Sequence, residues 1–311
     1  MKLSTSTGDF TGYVGSIAEE IACFGRTKFK YLNLEQSGDA YTTEDGEEWK
    51  RKADEWGEAA AKAGVTFVVS HSPCVNAFGT LDEAQYNAAV RAIRRSLEVC
   101  NVLGIKRTVV HASRNVSFTC QDFFRQNKRF YSDLFDLMEK YDITVMTENM
   151  DGSPWYPLST GKEMREFIEY VDHPLMAGCW DTAHGNNDPK VKYWGQYQCI
   201  VDLGDKLKGV HIADNMGDGF HLHSWPLAGT VNFDSVLQGL LDVDYDGFFN
   251  FEASYSLLHT CNYPCRRKAW EHDGETVSKL LNPSLKLKSA AVDLLYDIGE
   301  YMLESYGCFE S

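Results

Sequence analysis

The alternation of short β-prone runs with long helical patterns constrains the fold of this 311-residue chain more than any other feature. Eight such runs occur, and successive runs begin about 28 to 41 residues apart. That spacing is the length of one strand followed by one helix. The predicted strands are Leu3–Thr7, Tyr31–Glu35, Thr66–His71, Arg107–His111, Ile143–Glu148, Leu175–Asp181, Leu207–His211 and Phe248–Glu252.

The segments between the predicted strands have the apolar spacing of helices. In 84–103 the apolar residues form one face, and Gly104 follows as a helix stop. The spacing also predicts one helix over 123–140, where Asn127 is the only polar residue on the apolar face. Strands separated by helices form a parallel sheet that is covered on both faces.

We expect this α/β chain to close into a (β/α)₈ TIM barrel. The alternative is an open doubly wound sheet, but no G-x-G-x-x-G turn follows the first predicted strand, which disfavours the dinucleotide-binding form. No linker, low-complexity tract or shift in composition divides the chain. The sequence therefore predicts one domain, with the barrel in about 1–255 and extra helices in about 256–311.

Seven of the eight predicted strands end in a side chain that can bind a metal ion. These residues are Glu35, His71, His111, Glu148, Asp181, His211 and Glu252. In a barrel they would converge at the carboxyl ends of the strands, where this architecture places its active sites. His184, His221 and His223 follow in the loops after the sixth and seventh strands.

Any one of these residues has a simpler interpretation, as a solvated rim group or the N-cap of the next helix. For Glu35 both interpretations stay open. Four consecutive strands, however, deliver Glu148, Asp181, His211 and Glu252. Burying three carboxylates without a cation would cost several kcal/mol each, so these four residues predict a metal centre.

Composition disfavours several other functions. A net charge of −15 repels a phosphate backbone, so we expect no nucleic-acid partner. No apolar run approaches the roughly 18 residues that span a bilayer, and no signal peptide begins the chain, so we expect no membrane association. Nine widely spread cysteines then indicate free thiols and a cytoplasmic location.

Seven segments within residues 60–255 carry a family resemblance: VVSHSP, TVVHAS, ITVMTENM, CWDTAH, KGVHIADN, HSWPLAGTVNFDSVL and GFFNFEAS. As a set and in this order, they resemble the xylose isomerase-like, or AP endonuclease family 2, barrel superfamily. That group contains sugar isomerases and epimerases, inosose dehydratases and endonuclease IV. The resemblance implies that Glu148, Asp181, His211 and Glu252 bind one divalent metal ion, with His184 as a substrate contact.

Other residues around this centre are expected to contact the substrate. Together with His184, the set is His71, His111, His223, Glu35 and Asn149. Two positions depart from the ketohexose 3-epimerases of the superfamily, because Pro154 and Gly217 stand where those enzymes carry a second glutamate and an arginine. A close relation to those epimerases therefore stays open.

Three carboxylates and one imidazole suit Mn²⁺, Mg²⁺ or Co²⁺, and also accept Zn²⁺. Such an ion polarises a sugar carbonyl, and Glu148 and Glu252 would then move a proton on the neighbouring carbon through an enediolate. We therefore predict an isomerase or epimerase of a sugar or sugar derivative. A lyase or dehydratase acting on a keto-sugar, inosose or keto-glycoside would use the same site.

A second alternative is a phosphodiesterase of the endonuclease IV type with three zinc ions. The resemblance supplies eight of that enzyme's nine ligands, with His221 in the ninth place, but the acidic charge disfavours a DNA substrate. Near the predicted rim, Arg114 is almost the only basic residue, so an unphosphorylated carbohydrate is favoured. The long segment after Glu252 predicts a homo-oligomer.

Overall fold

The structure, a computed structural model, describes residues 1–36, 46–150, 156–254, 256–259 and 268–311. Within these ranges, it describes residues 192–194 by their backbone alone. The first eight strands are β1 Leu3–Ser6, β2 Tyr31–Glu35, β3 Thr66–His71, β4 Arg107–Val109, β5 Thr144–Glu148, β6 Met176–Asp181, β7 Leu207–His211 and β8 Phe249–Phe251. All eight lie within the predicted strands, and each described neighbouring pair is parallel.

Helices connect these strands and cover the outside of the sheet. They are α1 Ile17–Phe24, α2 Glu48–Ala63, α3 Glu83–Val102, α4 Cys120–Ser132, α5 Phe135–Tyr141, α6 Gly161–Val171, α7 Thr182–Asn187, α8 Pro189–Leu203, α9 Phe233–Asp242 and α10 Leu285–Ser305. Gly195, at a φ of 77°, interrupts α8. The described part of 256–311 contains α10 and a hairpin of β9 Trp270–His272 and β10 Glu275–Val277.

The strands follow one another around a barrel in the order β7-β6-β5-β4-β3-β2-β1-β8. Ile212, just after β7, closes the barrel: its amide donates to the Asn250 carbonyl at 2.8 Å, and its carbonyl accepts from the Glu252 amide at 3.1 Å. The (β/α)₈ barrel predicted from the sequence is therefore confirmed.

Two apolar cores follow from the alternation of side chains along the strands. The inner core fills the barrel and contains Val69, Val109, Met146, Ala177 and Cys179. The outer core lies between the sheet and the helices and contains most of the large aromatic side chains. Strand residues two positions after the inner core, such as Glu148 and Asp181, consequently emerge at the mouth of the barrel.

The single helix predicted over 123–140 is wrong, because the structure has two helices, α4 and α5. The break is at Asp133, whose carbonyl accepts from Arg94 Nη1 at 2.7 Å and whose carboxylate accepts from the Tyr86 hydroxyl at 2.6 Å. Contacts from α3 thus hold this turn out of the helical path. Asn127 is fully buried, and its amide group pairs with the backbone of Ser113 in the loop after β4.

Within the described residues, no helix has the length and apolar character needed to span a membrane.

Candidate metal centre

Four side chains from four consecutive strands meet at the mouth of the barrel. Glu148, Asp181 and His211 are the last residues of β5, β6 and β7, and Glu252 follows β8 by one residue. Each of the four offers one ligand atom, and these atoms all lie within 4.8 Å of one another. We call these residues the four-ligand group.

The interatomic distances within the four-ligand group suit a bound cation. His211 Nδ1 lies 3.0 Å from Glu148 Oε1 and 2.5 Å from Glu252 Oε2. Asp181 Oδ2 is buried and has no hydrogen-bond partner among the described residues. An ionised carboxylate oxygen left without a donor in a buried position is costly, and a divalent ion would satisfy it. The three carboxylates and one imidazole therefore fit a divalent metal ion.

Asp181 is directed to the centre because one residue ends a strand and starts a helix. Its side chain is the N-cap of α7, with Oδ1 accepting from the His184 amide at 2.6 Å. Asn149, one residue after β5, holds the backbone of Asp181 from the other side. Asn149 Oδ1 accepts from the Asp181 amide at 2.6 Å, and Nδ2 donates to the Asp181 carbonyl at 2.9 Å. Asp181 Oδ2 is the atom left for a ligand.

Neighbouring imidazoles keep the glutamates ionised. Burial raises the pKa of Glu148, but His211, His111 and His184 beside it hold that pKa well below its usual value. Burial likewise raises the pKa of Glu252, and His211 and His223 lower it further than burial raises it. The Glu148 side chain is 1% exposed, whereas that of Glu252 is 24% exposed. Glu252 is thus the carboxylate with better access to a molecule in the barrel mouth.

One flanking cluster lies beside Glu148 and consists of His71, Cys74 and His111. The Nε2 atoms of His71 and His111 are 3.1 Å apart, and His111 Nε2 is 3.0 Å from Glu148 Oε2. Cys74 is a member of this cluster that strand periodicity did not predict. Its spacing of three residues from His71 is the one feature of the sequence that could have placed a thiol near the end of β3.

The other flanking cluster consists of His184, His221 and His223. His184 Nε2 and His223 Nε2 are 3.3 Å apart, and His223 Nδ1 is 3.9 Å from Asp181 Oδ2. Burial lowers the pKa of His184, but Asp181 and Glu148 raise it to about 10.

The structure also places the remaining residues that the sequence predicted for the site. Glu35 is half-buried at the end of β2, where its Oε1 lies 3.9 Å from His71 Nδ1. It stands beside the first flanking cluster and outside the four-ligand group. Both polar atoms of the Asn149 side chain form hydrogen bonds with the Asp181 backbone. The departure at Pro154 lies outside the described residues, whereas Gly217 donates its amide to Asn215 Oδ1 at 3.0 Å.

Together, the fold and the site define a class of protein: a parallel α/β barrel with a carboxylate and imidazole centre at the carboxyl ends of its strands. The chain belongs to the xylose isomerase-like TIM barrel family, whose sequence model matches residues 29–279.

Two curated relatives match parts of the chain. It is 26% identical over 194 residues to the uncharacterized protein MJ1311 of Methanocaldococcus jannaschii, which covers 60% of this chain and 64% of that protein. It is 23% identical over 160 residues to a probable endonuclease 4 of Bacillus licheniformis, which covers 49% of this chain and 53% of the relative. The chain thus spans between about half and two thirds of these relatives.

Solved structures match the fold over nearly its whole length. The D-psicose 3-epimerase of Clostridium cellulolyticum H10, solved with D-tagatose, has a TM-score of 0.72 and 15% identity, covering 97% of this chain and 99% of that chain. The IOLI protein, solved with a zinc atom, has a TM-score of 0.71 and 15% identity, covering 100% of both chains. At such low identity these matches establish the fold alone.

Proposed function

We propose that this protein is a divalent-metal-dependent isomerase or epimerase of a sugar or sugar derivative. The observation that carries the proposal is the four-ligand group of Glu148, Asp181, His211 and Glu252 at the barrel mouth. Membership of a family that includes sugar-processing barrels supports it, as do structural neighbours named as sugar epimerases. Mn²⁺, Mg²⁺ and Co²⁺ suit this oxygen-rich donor set, and Zn²⁺, which the IOLI structure contains, is an alternative.

A divalent ion held by these four residues would act as a Lewis acid toward a substrate carbonyl. The partly exposed Glu252 is the base that removes the proton from the carbon next to that carbonyl. Glu148 is the second acid–base residue, because its histidine neighbours keep its carboxylate ionised and it lies beside the same His211 nitrogen as Glu252. His71, His111, His184 and His223, together with Glu35, surround the same space and provide hydrogen bonds to substrate hydroxyls. Asn149 contributes by holding Asp181.

Hydrogen exchange at carbon tests the proposal before the natural substrate is known. The Mn²⁺-loaded protein is incubated in D₂O with a panel of ketohexoses and ketopentoses, and deuterium at the carbon next to the carbonyl is measured by NMR. We expect exchange with at least one sugar, and a loss of at least 100-fold in Glu252→Gln. Glu169→Gln, on the exposed face of α6, is the matched control. Exchange that survives Glu252→Gln, or a protein that takes up no metal, would refute the proposal.

A lyase or dehydratase that acts on a keto-sugar would also exchange this proton, and product analysis separates it from an epimerase. A second candidate function is phosphodiester hydrolysis with three metal ions. The two flanking histidine clusters favour it, as does the relative named as a probable endonuclease 4. Three zinc ions per chain and cleavage of an abasic-site duplex would support this candidate, and one ion per chain would support the sugar enzyme. The net charge of −15 favours the latter.

We also propose that two copies of the chain pair through α10. Leu287, Leu294 and Tyr301 are 51%, 47% and 63% exposed, and they recur every seven residues along one face of the helix. In an antiparallel pair centred on Leu294, each Leu287 would face the other copy's Tyr301. Light scattering is expected to give a dimer for the native chain and a monomer for Leu294→Asp, whereas a native monomer would contradict the pairing.

A further inference from the structure

A cavity of about 220 Å³ opens on the rim of the barrel next to the metal centre. His111, Arg114, Met150 and Tyr156 line it. The cavity and the four-ligand group share a wall, because His111 Nε2 is 3.0 Å from Glu148 Oε2. A substrate whose reacting carbonyl lies at the metal centre can therefore extend into this cavity.

The backbone that carries Arg114 is held in place by three hydrogen bonds, of which the two at Ser113 are buried. The Ser113 amide donates to Asn127 Oδ1 at 2.7 Å, and the Ser113 carbonyl accepts from Asn127 Nδ2 at 2.9 Å. The Arg114 amide donates to Asn76 Oδ1 at 3.1 Å. The loop therefore fixes the point from which the Arg114 side chain reaches the cavity.

The guanidinium group of Arg114 has no acidic partner among the described residues, although the chain has 45 acidic residues and 30 basic ones. Two arginines of α4 differ in this respect. Arg125 pairs with Asp122 at 2.7 Å, and Arg129 pairs with Glu83 at 2.9 Å. A guanidinium that lines a cavity and meets no acidic partner among the described residues is suited to a carboxylate or phosphate group, which it can bind through two parallel hydrogen bonds.

We propose that Arg114 binds a carboxylate or phosphate group of the substrate, so that the natural substrate is an acidic sugar derivative. This inference depends on the proposed function, because the metal centre must hold the other end of the same molecule. A phosphate group in this place would reverse the expectation of an unphosphorylated carbohydrate, which was based on the scarcity of basic residues near the rim, whereas a carboxylate group would agree with it. One arginine without an acidic partner in the described part of the chain is sufficient to recognise one terminal anion.

Calorimetry with three six-carbon probes tests this assignment. Sorbitol, gluconate and sorbitol 6-phosphate are titrated into the Mn²⁺-loaded native protein, Arg114→Gln and the control Arg125→Gln. We expect gluconate, sorbitol 6-phosphate or both to bind at least tenfold more tightly than sorbitol to the native protein and to Arg125→Gln. In Arg114→Gln that preference should disappear, while Mn²⁺ affinity and Tm stay unchanged. Because metal chelation by the acids in solution is equal for all three proteins, it does not affect the comparison.

The two acids distinguish the source of the anion: preference for gluconate identifies a sugar acid, and preference for sorbitol 6-phosphate a sugar phosphate. Equal affinity of the native protein for all three probes would overturn the inference, as would a preference that persists in Arg114→Gln. Absence of binding by all three to a protein that holds Mn²⁺ would also overturn it. A native protein that binds no Mn²⁺ instead refutes the proposed function, so the two failures are distinguishable.

Discussion

Replacing Asn149 with leucine should separate the folding role of this residue from its effect on the metal centre. Leucine has nearly the same shape as asparagine but can make neither of the two buried hydrogen bonds to the Asp181 backbone. Each unsatisfied buried backbone group costs about 1–3 kcal/mol, so the two together lower the free energy of unfolding by roughly 2–6 kcal/mol. That loss is a large part of the free energy of unfolding of an ordinary domain, which is about 5–15 kcal/mol.

Asn127 provides a matched control, since its amide group makes the same pair of hydrogen bonds to the Ser113 backbone. Asn127→Leu should lower the free energy of unfolding by a similar amount, measured by urea denaturation. Only Asn149→Leu should also weaken Mn²⁺ binding, measured by calorimetry, because it releases the backbone that directs Asp181 to the ion. We expect at least a tenfold loss, equivalent to about 1.4 kcal/mol.

The reasoning would be refuted if both variants bound Mn²⁺ equally well. It would also be refuted if Asn149→Leu were as stable as the native protein. In the first case Asp181 is directed by its helix-capping bond alone, and in the second the strand pairing of β5 with β6 is sufficient to hold both backbones.

Three further predictions concern packing, acid stability and metal removal. Gly161→Ala should lower the free energy of unfolding by about 3 kcal/mol in thermal or urea denaturation, because its Cβ would lie 1.8 Å from the Cys199 carbonyl oxygen. Burial raises the pKa of Glu163, but Lys190 and Ser159 lower it below its usual value of about 4.3. The ionised side chain therefore stabilises the fold above about pH 4.3, and this stabilisation is lost as the pH falls further. Glu163→Gln should accordingly be about 1 kcal/mol less stable at pH 7 and approach the native stability near pH 3, measured by urea denaturation across this range; an equal difference at both pH values would contradict the assignment. Mn²⁺ added to chelator-treated protein at 100 times its Kd should raise the free energy of unfolding by about 2.7 kcal/mol, and Asp181→Asn should abolish that increase.

The strand ends were predictable from sequence because a parallel barrel imposes one register on all of its strands. Once Glu148 and Asp181 were assigned to the ends of neighbouring parallel strands, their convergence followed from the fold. The same logic located His211 on the next strand. These predictions needed only the period of the strand and the direction of the chain.

Features that depend on contacts between distant side chains were not predictable in this way. The break between α4 and α5 depends on Tyr86 and Arg94 of another helix, and the apolar spacing of 123–140 contains no sign of it. Cys74 lies in a loop, whose course no periodicity describes. The hydrogen bonds of Asn149 cross from one strand to the next, so they become visible only when both strands are placed.

The closure of the barrel at Ile212 has a consequence for how the protein would open. His211 ends β7 and Glu252 follows β8, and among the described residues the bridge between Ile212 and Phe251 is the one direct pairing of these two edges of the barrel. An ion bound by both His211 and Glu252 would crosslink β7 to β8, which of the described neighbouring strands share the least backbone pairing. Release of the ion and local unfolding of β8 would then be one coupled equilibrium. Backbone amides of β8 would exchange with solvent without metal and become protected when it binds, while those of β5 would be protected in both states.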